Sequence, residues 1–293
     1  MPAKIAFHAS LASLLCVLFV TILVMGEATA APKSPAQEVE IEKLTWTDVR
    51  DRLQNGTTTI IVPTGGTEQN GAHMALGKHN FIVKETARRI ALALDNALVA
   101  PVLAYVPEGD PSSKTGHMAY PGTISLPQNV FEQVLENTAL SFKTHGFRTV
   151  VFVGDSGGNQ AAQAKIARAL TAKWQSDGVK VISASDYYAA NNGDAYLAQQ
   201  GMTSAQIGTH AGIRDTSELL YVAPDAVDLN RAEADTNGAT GDARLAKAKW
   251  GKALIAQKVA AAVQQIRQAE TTKSASKPQT GNAFRWLLSL ITG

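Results

Sequence analysis

Residues 57–62 form a β-branched, apolar run that empties directly into the turn Pro63-Thr-Gly-Gly-Thr-Glu-Gln-Asn-Gly-Ala-His-Met-Ala-Leu-Gly-Lys-His79-Asn80. An apolar-periodic run over residues 81–94 follows, with Asn80 placed to cap it as a helix. A buried strand, a glycine-rich turn and a helix in direct succession leave few architectures open. The pattern recurs at residues 148–154, followed by Asp155-Ser-Gly-Gly-Asn159 and a helical stretch over residues 160–174. Further strands are read at 98–106 and 179–184, and further helices at 39–53, 130–145 and 245–266. Strands alternating with helices predict an α/β fold, a three-layer α/β/α domain with a mostly parallel central sheet.

A loop at the carboxyl end of a parallel strand is where open α/β sheets bind ligands. The first such loop carries Glu68, His73 and His79, a set that packing alone does not explain and that suits a metal. A long Gly/Pro/Ser-rich loop over residues 107–127 holds His117, which either lines a site or is an exposed loop histidine. The turn after the 148–154 strand offers the N–H groups of Gly157 and Gly158 to an anion, but it lacks the spacing of a nucleotide loop. Asp155 there is either functional or a turn-forming cap. His210 and Asp215 lie in a later glycine-flanked stretch.

Composition removes other classes. The single cysteine, Cys16, lies in the first thirty residues, so any metal in the remainder is held by His, Asp, Glu or water. With 27 Lys+Arg against 25 Asp+Glu, the charge gives no case for nucleic acid. Residues 1–30 read as a signal peptide, with an apolar run over 5–25 and the small-residue site Ala28-Thr-Ala30. Export, most simply to a periplasm, is the expectation; an uncleaved N-terminal membrane anchor is the alternative. Residues 31–38 read as a linker, 39–267 as the α/β domain, and 268–293 as a flexible tail. The tail ends in the amphipathic segment Phe284-Arg-Trp-Leu-Leu-Ser-Leu-Ile-Thr-Gly293, suited to docking on its own domain or a neighbouring subunit, or on a membrane surface.

The motif order resembles the creatininase (creatinine amidohydrolase) family. Pro63, Gly65, Glu68, Gln69, Gly71, His73 and Leu76 match its P-x-G-S-x-E-Q-H-G-x-H-L turn. Tyr120-Pro-Gly-Thr-Ile-Ser125 matches a central F-P-G-T-I-S segment, and Gly154-Asp-Ser-Gly-Gly-Asn159 matches N-G-H-G-G-N in part. His210-Ala-Gly-Ile-Arg-Asp-Thr-Ser217 matches H-A-G-x-x-E-T-S, and Gly241-Asp-Ala-Arg-Leu-Ala246 a late G-D-x-R-x-A. The resemblance implies a homo-oligomeric hydrolase of C–N bonds in small cyclic or linear amides, using zinc or manganese and often two ions.

The departures fall on the ligands that the resemblance implies. Glu68 is kept. Asn70 stands for a histidine, His79 for the bridging aspartate, Ser156 for a histidine, and Gly158 for a carboxylate that some members carry. One reading is a decayed site in a small-molecule binding or structural module. The other is an exchange of ligands, with Glu68, His79 and Asp155 holding one divalent metal. On that reading His210 shuttles the proton to the leaving nitrogen and Asp215 orients it. Gly157, Gly158 and the Asn159 amide receive the oxyanion, and His73 is a further ligand or a donor to Glu68.

Overall fold

The structure, a computed structural model, describes residues 38–271. The signal-peptide reading, the linker up to residue 37 and the amphipathic end lie outside those residues. A 3-10 turn at Ile41–Lys43 leads into α1 (Trp46–Gln54), whose N-cap Thr45 forms a capping box with Asp48. Then follow β1 (Thr59–Thr64), α2 (Lys78–Leu94), β2 (Ala97–Val99), α3 (Gln128–Thr144), β3 (Thr149–Gly154), α4 (Gln160–Lys173) and β4 (Lys180–Ser183). Short helices α5 (Asp186–Ala189), α6 (Gly193–Gln199) and α7 (Ser204–Ile207) precede α8 (Ile213–Val222) and the long α9 (Ala248–Thr271).

All four strands are parallel, in the order β2-β1-β3-β4. Strand residues alternate between two cores, as the two-residue period of a strand requires. Ile60, Val62, Val150 and Phe152 face α3 and α4 through Phe131, Leu135, Ile166 and Leu170. Ile61, Val151, Val153 and Ile182 face α2 and α9 through Val83, Ile90, Val263 and Ile266. The α/β/α layering expected from the sequence is therefore present. Among the described residues no helix is long and apolar enough to cross a membrane.

Three local expectations are corrected. The strand expected over 98–106 ends at Val99, because Pro101 follows and the chain turns away after one isolated bridge from Thr64 to Leu103. Asn80 does not cap α2. The helix starts at Lys78 behind Gly77, and Asn80 Oδ1 instead accepts from the N–H of Gly66 at 3.0 Å. The tail expected from residue 268 begins later, since α9 runs on to Thr271.

From β1 the chain crosses to β2 on one side, while β3 and β4 extend the sheet on the other. The crevice between the carboxyl ends of β1 and β3 is thus the switch point of this sheet, where ligands bind in open α/β folds. The turns after those two strands are the two that the sequence marks.

Candidate metal centre

A cavity of about 560 Å³ opens at this crevice, walled by the β1–α2 turn, the 107–117 loop, the β3–α4 turn and the start of α8. The β1–α2 turn is tied to itself. Buried Asn70 donates from Nδ2 to the carbonyls of Glu68 (2.9 Å), Ala75 (3.3 Å) and Leu76 (3.4 Å). Asn70 is therefore a brace that shapes the turn. His73 is buried away from Glu68 and bonds through Nε2 to Thr216 Oγ1 at 3.0 Å, so the donor-to-Glu68 reading is corrected.

Glu68, His79 and Asp155 do converge. His79 Nε2 lies 2.8 Å from Glu68 Oε1 and Nδ1 lies 2.7 Å from Asp155 Oδ2. Both ring nitrogens are thereby spent as donors between two carboxylates. Burial and the neighbouring Lys78 push the imidazole pKa down, but the bonds to Asp155 and Glu68 outweigh them and raise it to about 9. A doubly protonated imidazolium has no lone pair for a metal. The expected ligand set is corrected on the geometry: both His79 nitrogens are taken up by hydrogen bonds that bridge the two carboxylates.

Two lysines complete a charge lattice that sequence reasoning missed. Lys258 of α9 donates from Nζ to Asp155 Oδ1 at 2.9 Å and to Glu218 Oε2 at 2.5 Å. Lys78 donates to Asp215 Oδ2 at 2.9 Å and stands 3.8 Å from Glu68 Oε1. Burial alone would lower both lysines, yet their carboxylate neighbours hold them above the ordinary value. Tyr187 donates a 2.6 Å bond to Asp155 Oδ1, so Asp155 is neither free for a metal nor a helix cap. Burial opposes ionisation of Asp155, but Lys258 and His79 keep its pKa well below the usual carboxylate range.

The ligand-competent atoms lie one layer outward. Among the described residues, Glu68, His117 and His210 each present a donor atom within 4.8 Å of the others. His210 donates from Nε2 to the Gln69 carbonyl at 2.9 Å, which leaves Nδ1 with its lone pair 3.8 Å from Glu68 Oε1. His117 presents Nε2 to Glu68 Oε2 at 3.2 Å while the Gln69 amide nitrogen sits 3.0 Å from its Nδ1. Burial lowers the pKa of both imidazoles, favouring the neutral form that a metal needs. Two imidazoles and one carboxylate fit the three-ligand pattern of a catalytic zinc centre. Gln69 contacts both rings, taking the His210 Nε2 proton on its main-chain carbonyl, as the partner behind a ligating histidine does, and turning its amide nitrogen to His117 Nδ1.

The remaining expected residues fall as follows. Asp215 spends Oδ2 on Lys78 and on the N–H of Ala211 (2.8 Å), so Gln69 rather than Asp215 orients His210. Asn159 is buried and donates to Thr64 Oγ1, the Thr64 carbonyl and the Gly65 carbonyl at 2.7, 3.1 and 2.8 Å. Its amide fastens the β1 and β3 turns together and is not offered to an oxyanion. Ser156 Oγ accepts from the N–H of Gly158 (3.3 Å) and donates to Glu108 Oε2 (3.4 Å). Gly157 lines the cavity beneath Tyr188. A Cβ on Gly158 would lie 2.2 Å from the carbonyl oxygen of Pro107, so backbone fills the space a side chain would need. Gly158→Ala is expected to cost about 1–3 kcal/mol of stability through that clash. Thermal unfolding measures it, and an unchanged melting temperature would refute the close approach.

Glu108 was not singled out in the sequence. Burial raises its pKa to about 9, and the adjacent Glu68 charge adds to the shift. That shift favours its neutral, proton-carrying form beside the Glu68 carboxylate.

Residues 42–266 match the family model described as Creatininase, creatinine amidohydrolase. A creatinine amidohydrolase of Pseudomonas putida is 26% identical over 204 residues, covering 67% of this chain and 76% of that protein. A mycofactocin precursor peptide peptidase of Mycolicibacterium smegmatis is 30% identical over 186 residues, covering 62% and 64%. Creatininase structures with manganese and of a Zn-Zn type each superpose with TM-score 0.65 at 24% identity, covering 79% of this chain and 98% of theirs.

Proposed function

The chain belongs to the creatininase family, and from that premise we propose that it hydrolyses a C–N bond of a small amide using one divalent metal held by Glu68, His117 and His210. The observation that carries this reading is the donor set itself: two imidazoles and a carboxylate, converging at the sheet's switch point on a cavity of about 560 Å³. A divalent ion bound there would supply Lewis-acid polarisation of the amide carbonyl and would acidify water.

The chain's own groups do the rest. The Glu68 carboxylate anchors the set; His79 and Lys78 favour its ionised form, and Lys258 and His79 favour that of Asp155. Glu108 lines the same cavity, and burial favours its protonated form, so it can give that proton to the departing nitrogen. Tyr188, whose pKa burial raises, stays a hydroxyl donor on the cavity wall for the substrate carbonyl. The relatives act on creatinine and on a precursor peptide by their names; the cavity here suits a compact amide or the end of a peptide. Zinc and manganese both suit an N/O donor set.

Elemental analysis of purified protein should find one ion per chain, and a chelator should remove activity against an amide and lactam panel. Gln69→Ala should weaken metal affinity by about 10–100-fold, because His117 loses the amide at its Nδ1 and His210 keeps only the main-chain carbonyl of residue 69. Metal-free protein from metal-replete cells, indifferent to chelator, would overturn the reading and leave the binding-module alternative.

A further inference from the structure

A second cavity, of about 740 Å³, lies far from the catalytic chemistry, between α1 and the carboxyl end of α3. Leu44, Trp46, Val49, Leu53, Phe142 and Phe147 line it, with Arg50 and His145 at its polar edge. Val49 and Leu53 are one helical turn apart on α1, and Trp46 is 75% exposed. An apolar trough with a tryptophan left open to water is a surface that calls for an occupant.

We propose that residues 284–293 of this same chain lie in the trough. Phe284, Leu287, Leu288 and Ile291 follow the i, i+3, i+4, i+7 spacing of one helical face, and Arg285 and Ser289 fall off it. A short amphipathic segment laid into an apolar groove is a common recognition mode.

The path of the chain supports the cis arrangement. α9 ends at Thr271, and Glu270 accepts a bond from Thr59 Oγ1 (3.4 Å) at the first residue of β1. Thr59 pairs with Thr149 of β3, and Phe147 of the trough lies two residues before that. The end of α9 therefore delivers the chain to the end of the sheet where the trough lies. Twelve residues, 272–283, connect it to the segment. Fully extended they reach about 40 Å, and as a flexible coil they span about 20 Å. A linker of that length holds a segment at an effective concentration of order millimolar, so modest affinity suffices for docking.

Trp46 reports the contact. The other tryptophans of the described residues, Trp174 and Trp250, are buried, so in a Trp286→Phe chain acrylamide quenching reads Trp46. Quenching should be severalfold weaker in that full chain than in the same chain ended after Thr271. Leu287→Asp with Leu288→Asp in the full chain should restore the strong quenching, a control that does not depend on how the truncated chain folds. Equal quenching in full and shortened chains overturns the proposal. Protection that disappears on dilution also overturns it, since the segment would then come from a neighbouring subunit.

Discussion

Lys258→Met is expected to lower stability by about 3–5 kcal/mol. The methionine keeps the apolar length of the side chain within α9 but removes the ammonium between Asp155 and Glu218, whose side chains are each about 1% exposed. Two carboxylates would then share a buried site with one cation fewer. The loss should be greatest at neutral pH and shrink in acid, where a buried carboxylate can take up a proton. For a domain of this size the drop in melting temperature is on the order of 10 °C. Circular dichroism melts at two pH values check both parts. A variant that melts with the wild type at neutral pH would mean that the lysine contributes nothing net.

Glu68→Gln addresses the chemistry. Glu68 meets His79 at 2.8 Å, His117 at 3.2 Å and His210 at 3.8 Å, so one carboxylate joins the charge lattice to the ligand set. The amide is nearly isosteric but carries no charge. Metal stoichiometry should fall from one towards zero, and kcat/KM should fall by at least about 10³-fold, some 4 kcal/mol of transition-state stabilisation. The informative partner is His79→Gln. With Glu68, His117 and His210 as ligands, His79→Gln should keep its ion while losing stability. Loss of metal in His79→Gln, with retention in His117→Ala, would restore His79 and Asp155 as the ligands.

The layered fold and the location of the site were legible in the sequence because they depend on local patterns. Strand runs ending in glycine turns announced β1 and β3, and Glu68, His79 and Asp155 were correctly expected to meet. What they do on meeting was not legible. Whether an imidazole ligates a metal or bridges two carboxylates depends on the charges around it, and Lys258 arrives from 179 residues beyond His79 by their numbers. A signal was available. Lys258 lies four residues after Leu254 and four before Ala262, on the buried stripe of α9, where a lysine needs a partner. Glu108 gave no such signal, because its neutrality comes from burial beside Glu68, and no local pattern encodes that. Asn159 was misread because an amide beside two glycines looks available until its three carbonyl-side and hydroxyl acceptors are seen.

The lattice of Lys78, His79 and Lys258 bears on the life of the empty protein. In many metalloproteins the bare ligand cage is a cluster of mutually repelling carboxylates, and the ion is what allows it to fold. Here the carboxylates nearest the sheet are already neutralised by groups covalently part of the chain. Losing the ion would strip only the outer Glu68, His117 and His210 layer and leave the cavity walls standing. With the ion held by that outer layer, loading and folding would be uncoupled: the chain would mature before meeting its metal and could be recharged without refolding.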